Sequence, residues 1–580
     1  MDKIRAASSH IFDYKMLLFL AFFIYVGAGI LPFSPIEGDG AGIANGATQL
    51  LTDFSIPPTL GYRFALQPGT YIWVVEFSRL TGLSTFTTFS LLSGISALIA
   101  ILLAASVAAS LAGVRFATAG LIILLFQEAY SSGYYANSTT IASAFLFLAM
   151  VLFQKETSVW RQILAGIAIG IAVWTRIDSV ILAPVVVFLA LPHEVPLSYW
   201  KIFRRIATTA VVAIAVSLSL LYWSRVPLEA VLFLFQQHHG NFSEGGTPGM
   251  GGILSYLSGD DMKSHIAFYS VLTIYLTGRG IWILIQRQQW RVLAVLVIAI
   301  VPFYAVLGGT ITSPKYLYYL LPVLVAVAVI GAVTATRRAD GSIRLSPIHL
   351  AICSVLFVTQ YLFGLNAEIQ NKEYWGKPEP QFVEIFSSPI TGIAQIKHLS
   401  FSMGSGLLIP TADGTRLSGG IAYAPLTWRG EKQKASQAFT QLTEMMKQLK
   451  AGDTTLVARE YQASQYAKTA LLEAGYTIVS TPDRSVSPGF GEFVFESESR
   501  KVTVQRPYLN QYMGRNYSSI VNYFAKAKNE NSFFIATTEW EKSLLKGAAD
   551  DWNSSSGYIF VPTKKLLDQF ESPVHSPLLP

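Results

Sequence analysis

The chain has 580 residues, 52% of them apolar and only 14% charged, with a mean hydropathy of +0.42. A soluble chain is about a quarter charged, so a disordered, fibrous or ordinary cytosolic protein is excluded. The charge is also uneven: roughly a tenth of residues are charged up to position 365 and roughly a fifth beyond it, which divides the chain into a membrane part and a water-soluble part.

In chain order, Lys3, Arg5 and Lys15 precede an apolar run at 16–33, and no small-residue cleavage site follows it. This predicts a retained span rather than a cleaved leader. Ten more runs approach or meet the length of a span: 85–113, 116–132, 138–153, 162–176, 179–192, 206–224, 265–285, 292–308, 316–335 and 346–365. With the N-terminus inside, most Lys and Arg of this part fall on inside segments. Glu37, Asp39, Asp53, Glu76, Asp178, Glu244, Asp260 and Asp261 fall outside. That asymmetry predicts a cytoplasmic N-terminus and a C-terminal part outside. Losing one short span, 162–176 or 179–192, would invert the tail.

Two outer loops are long. The first, 34–84, holds a helix-like stretch at 41–54, then Pro57-Pro58, then an amphipathic aromatic stretch at 68–80 opened by Pro68. Both stretches read as helices lying in the interface. The second loop, 225–264, is glycine-rich around His238-His239, the composition of a mobile lid. Beyond 365 the pattern is mixed. Strands are predicted at 454–459, 476–480, 491–497, 501–505 and 532–537, and helices at 461–474 (stopping at Gly475), 517–528 and 538–546. The predicted fold is thus a polytopic α-helical membrane domain of about eleven helices over 1–365, followed by a soluble α/β domain over 366–580. The tail lacks a basic stripe interleaved with aromatics, so no nucleic acid is expected. The single cysteine, Cys353, excludes internal disulfides and a thiolate metal cluster.

The first outer loop carries the chemistry. Directly after the first span comes Glu37-Gly38-Asp39-Gly40, then the helix-like run. An ionised carboxylate is favoured beside a helix N-terminus. It can take a proton from an acceptor hydroxyl attacking an activated carbon, or it can simply cap the helix. His238-His239 suggest a metal or a base, but adjacent residues of a helix point apart and no acid stands at the right spacing, so a polar lid loop is the plainer reading. Trp73, Tyr134-Tyr135, Tyr222-Trp223 and Tyr318-Tyr319 suit an interfacial aromatic belt, or stack on a sugar or lipid.

Together these residues resemble the GT-C superfamily of polyprenyl-phosphate-sugar-dependent membrane glycosyltransferases, of the protein O-mannosyltransferase and aminoarabinose transferase type. Carrying the resemblance over residues 10–365 are the acidic motif after the first span, Pro68 through Tyr71-Ile72-Trp73, Trp174-Thr175-Arg176-Ile177-Asp178, and Ser313-Pro314-Lys315-Tyr316 before a late span. The resemblance implies that Asp39 is the general base. Glu37 would be a second acid, although Gly38 separates it from Asp39, a departure from an adjacent acidic pair. It implies inversion at the anomeric carbon with lipid phosphate as leaving group, and a glycan, glycolipid or protein as acceptor. A developing phosphate charge calls for fixed cations. Lys315 with Tyr316, Arg176 and Arg63 are the candidates, the alternative for each cation being snorkelling to headgroups. Asp178 would orient or neutralise Arg176, and Trp73, His238 and His239 would line the substrate site. No metal or other cofactor is expected, since no ligand cluster is evident, although some branches of the family need a divalent metal. The absence of ER-type signals points to a bacterial plasma membrane. The rival reading, a transporter or flippase, calls for mid-span charges and repeated halves; spans 85–113 and 292–308 carry no charge and no half resembles the other.

Overall fold

A computed structural model describes residues 14–31, 38–52, 61–125, 136–153, 158–183, 185–186, 199–226, 271–307, 318–333 and 347–357 of the first part. In the tail it describes 437, 439–457, 461–480, 491–506, 532–536 and 559–562, with six two-residue strands between 336 and 417.

The first part is helical: α1 (Tyr14–Ile30), α2 (Gly38–Thr52), α3 (Gly61–Leu66), α4 (Pro68–Thr81), α5 (Thr85–Ala112), α6 (Phe116–Leu125), α7 (Ser138–Phe153) and α8 (Val159–Thr175). A 3-10 turn at Ile177–Leu182 follows, then α9 (Tyr199–Trp223), α10 (Val271–Gln286), α11 (Trp290–Leu307), α12 (Leu321–Val333) and α13 (Pro347–Phe357). Among the described residues, the helices at Thr85–Ala112 and Phe203–Trp223 are long and apolar enough to cross a membrane, and six shorter apolar helices accompany them. Their inward sides form one apolar core running from Phe19 through Ala104, Phe147 and Ala168 to Val327. Helix α8 lies against α9 at close range. A Cβ on Gly166 or Gly170 would meet Val212 or Val216 at 2.8 and 2.7 Å, so only glycine permits the approach.

The described helices fall on the predicted runs, with corrections. The first-loop helix begins at Gly38, not near 41, so Asp39 lies within its first turn instead of ahead of it. Helix α3 has no counterpart among the predicted elements; a six-residue stretch is too short to show a period. The run 179–192 opens as a 3-10 turn, because Asp178 folds back onto Arg176. Tyr318 and Tyr319 are fully buried instead of sitting in an interfacial belt, whereas Tyr222 and Trp223 are exposed. A mid-helix charge absent from the sequence-based expectations is Arg279 of α10, which donates to the Gly331 carbonyl of α12. Loop 225–264 from 227 onward, and the predicted helices 517–528 and 538–546, lie outside the described residues.

The tail contains a short helix α14 (439–447), β1 (Gly452–Val457), α15 (Tyr461–Glu473), β2 (Thr477–Ser480), β3 (Gly491–Ser497), β4 (Arg500–Arg506), β5 (Ser532–Ala536) and β6 (Ile559–Pro562). They form a six-stranded mixed sheet in the order β6-β5-β1-β4-β3-β2, with β1 parallel to both β4 and β5. Helices α14 and α15 cover the sheet through Leu442, Met446, Tyr466, Ala470, Phe495 and Val504. Lys468 of α15 lays its ammonium 3.3 Å from the centre of the Phe493 ring, a cation–π contact.

The two parts touch. Ala44 of α2 and Phe86 of α5 belong to the apolar cluster of the tail. The helices α2–α4 and the tail sheet therefore sit at the same end of the helical body.

Candidate functional site

At that end, the chain leaves α8 through Thr175 into Arg176, which is extended (φ −157°, ψ 113°) and donates its backbone N–H to Ala172 O at 2.9 Å. The turn brings Asp178 back under the guanidinium. Nε of Arg176 lies 2.9 and 2.8 Å from the two carboxylate oxygens, and Nη2 lies 2.8 Å from Oδ2. Nη1 donates to Ser138 Oγ at 2.7 Å and reaches Gln67 Oε1 at 3.4 Å. Ser138 donates in turn to Gln67 Oε1 at 2.5 Å, and Tyr319 donates to Asp178 Oδ1 at 3.1 Å. Arg176 and Asp178 are only 5% and 7% exposed, so the charges stand in a low dielectric and must be paired.

The other three members are delivered by three different elements. Gln67 precedes Pro68, which opens α4. Ser138 starts α7, whose N-terminus is capped by Asn137 Oδ1 accepting from Thr140 N at 3.1 Å. Tyr319 stands just ahead of α12. Helix α4 is pressed onto the end of α8. Thr70 Oγ1 donates to Thr175 O at 2.9 Å, and a Cβ on Gly69 would lie 2.6 Å from the Trp174 ring, so the contact requires glycine. Trp73 stands edge-on to Trp174 at 5.6 Å and stacks near Phe145 at 6.3 Å. Its indole N–H is buried and has no hydrogen-bond partner among the described residues. Trp174 itself donates to Ser224 Oγ at 2.7 Å.

Of the sequence-predicted residues, the structure therefore brings together Arg176 and Asp178, with Trp73 one aromatic layer away. Asp39 and Arg63 are placed as backbone positions in α2 and α3. Ile43, one turn after Asp39, shares an apolar cluster with Tyr71, Trp174 and Ile177, which puts α2 beside the Arg176 turn. Glu37, His238, His239, Lys315 and Tyr316 lie outside the described residues, although Tyr319 brings the segment after Lys315 to the network. Asp178 takes the Nε–Nη2 edge of Arg176, so a phosphate approaching Nη1 would compete with Ser138 and Gln67. Sequence reasoning missed Gln67, Ser138 and Tyr319. Gln67 and Ser138 are neutral and carry no spacing signal; Tyr319 was visible only as half of an aromatic pair. Among the described residues, no group of three or more His, Cys, Asp and Glu side chains is placed to hold a metal.

No protein-family model matches the sequence, and no curated protein matches it. Solved structures do. They show a shared fold. The likeness runs nearly end to end with ArnT from Cupriavidus metallidurans. In the apo state the TM-score is 0.51 at 13% identity, over 97% of this chain and 99% of that one. In the structure bound to undecaprenyl phosphate it is 0.52 at 14%, over 94% and 97%. Identity this low establishes a shared fold.

Proposed function

We propose that the protein is an integral membrane glycosyltransferase that moves a sugar from a polyprenyl phosphate to a hydroxyl acceptor on the outer side, with inversion. The carrying observation is the convergence of Gln67, Ser138, Arg176, Asp178 and Tyr319 from four separated segments on one buried ionic network, beside the helix whose first turn holds Asp39. That ArnT has been solved with undecaprenyl phosphate supports a carrier lipid of this type here.

In this reading Asp39 takes the acceptor's proton while the acceptor oxygen attacks the anomeric carbon. The bond from that carbon to the phosphate oxygen breaks, and its electron pair leaves with the lipid phosphate. Lys315, with Tyr316, and Arg176, oriented by Asp178, face the developing phosphate charge, joined by Arg63. Glu37 is a second acid; Trp73, His238 and His239 border the substrate, the histidines from a lid over 225–264. Eleven spans, a cytoplasmic N-terminus, a division near 365 and an outer α/β domain complete the reading, in a bacterial inner membrane. Contact between tail and first loop supports an even number of crossings between them.

The test is a transfer assay on the purified protein with polyprenyl-phosphate sugars, reading released lipid phosphate and glycosylated acceptor by mass spectrometry. Asp39→Asn is expected to abolish transfer with its thermal unfolding unchanged. A variant of full activity overturns the assignment.

A further inference from the structure

Helix α2 is a poor helix by composition. Its fifteen residues, GDGAGIANGATQLLT, include Gly38, Gly40, Gly42 and Gly46. Gly42 and Gly46, past the first turn, each cost about 1 kcal/mol against alanine, and an isolated helix of roughly this length is marginal even when rich in alanine. What keeps α2 helical is packing, and it comes from two bodies. Ile43, Ala47 and Leu50 are buried against the first-loop helices and the end of α8. Ala44, fully buried, joins the tail's own core. Next to it Asn45, 5% exposed, donates from Nδ2 to the Gln465 backbone carbonyl at 3.1 Å and to Gln465 Oε1 at 2.9 Å. At the edge of the same seam Thr85 Oγ1 donates to Ala44 O at 3.0 Å, and Phe86 stacks on Phe439 at 4.2 Å with the rings nearly parallel.

We propose that the C-terminal α/β unit is a positioning element for transfer. Through Gln465 on α15 it holds α2, and so sets where the first turn bearing Asp39 stands. Asn45 and Gln465 are positioning residues, since they act through the helix and not on substrate. The proposal rests on the reading of Asp39 as the base. A pair of amides suits this role, because Asn45 binds both a backbone carbonyl and a side chain of one residue, which fixes the distance and the rotation of one helix on the other. Displacing a catalytic group by about 1 Å costs on the order of a hundredfold in rate, so a modest loosening of α2 is visible in turnover.

The experiment uses the full chain in detergent or nanodiscs, comparing Gln465→Ala, Asn45→Ala, the double variant and Gln465→Glu. One readout is hydrogen exchange of amides 38–52; the other is kcat and KM for the polyprenyl-phosphate sugar. Each alanine variant is expected to speed exchange in 38–52 and to lower kcat about tenfold or more at unchanged KM, and the double variant to be no worse than the singles. Gln465→Glu keeps both acceptors for Asn45 Nδ2; at acidic pH, where its buried carboxyl is neutral, it is expected to match wild-type exchange in 38–52, which separates lost positioning from a misfolded tail. Unchanged exchange in Gln465→Ala overturns the proposal, as does faster exchange with unchanged kcat. Should the wild-type protein transfer no sugar from any polyprenyl phosphate, the transferase reading falls, and the exchange data still decide whether the tail holds α2.

Discussion

The Arg176 network and the α2–α15 seam lie at the same end of the helical body and are built from opposite materials. The network is ionic: a two-toothed Arg176–Asp178 pair, clasped by Gln67, Ser138 and Tyr319. The seam is made of amides, hydroxyls and rings, with Asn45 on Gln465 and Phe86 in mutual contact with Phe439 and Tyr466. Buried charges cannot be left half-paired, so the network tolerates one arrangement and locks four segments into it. A neutral seam can open without stranding a charge. The helix that carries Asp39 is packed next to the first and gripped by the second, a rigid wall on one side and a separable support on the other.

The largest effect is expected from breaking the wall. Asp178→Ala leaves the Arg176 guanidinium buried without its carboxylate, a change that costs about 3–5 kcal/mol. Thermal unfolding of the solubilised protein is expected to fall steeply. Arg176→Met combined with Asp178→Leu is expected to recover much of that stability, because a buried ion pair is often matched by an apolar pair of similar volume, while transfer stays lost. A double variant that transfers sugar at wild-type rate would show the pair to be scaffolding only.

The seam comes next. Phe86→Ala removes a ring that is 3% exposed and stacked on Phe439, with Tyr466 at 5.7 Å. Truncating a buried Phe costs about 3–5 kcal/mol. The loss is expected near the lower figure, since the ring is one contact at a seam with its own hydrogen bonds. The signature separates the two regions: exchange rises over 461–473 and 38–52, while the apolar core of α5, α7 and α8 keeps its protection. Equal loosening throughout would mean that the tail and the helical body form one cooperative unit.

How much of this is legible in the sequence follows from the length scale of each signal. Apolar runs are long and declare themselves, which is why α5 and α7 fall within a residue of the runs at 85–113 and 138–153. The tail strands and α15 are periodic over several residues and are also readable. Arg176 and Asp178 stand out because charges are scarce in an apolar sequence, and their spacing of two lets a turn bring them together. Gln67, Ser138, Asn45 and Gln465 are silent: neutral side chains acquire meaning only when the fold sets them opposite a partner, 420 residues away in the case of Asn45 and Gln465. The start of α2 is misplaced because glycines at 38, 40 and 42 read as loop, and the packing that makes them helical is not written in the local sequence.

The smallest expected effect is also the one that tunes the seam with pH. Glu473, at the end of α15, is half-buried near Ser84. Burial pushes its carboxyl above the ordinary value of 4.5, and a hydrogen bond with the Ser84 side chain only partly offsets this. The docked state then holds the proton more tightly than the undocked chain does. Its contribution is complete below the ordinary carboxylate value, declines as pH rises from there to the raised value, and stays at the lower level above it. Glu473→Gln imitates the protonated form. It is expected to stabilise the tail modestly at pH 7, to slow exchange over 461–473, and to remove the gain that wild type shows on acidification. The two proteins should converge as the pH falls below the ordinary carboxylate value. If Glu473→Gln instead loosens α15 at neutral pH, the ionised carboxylate is a working partner of Ser84, and the seam depends on charge after all.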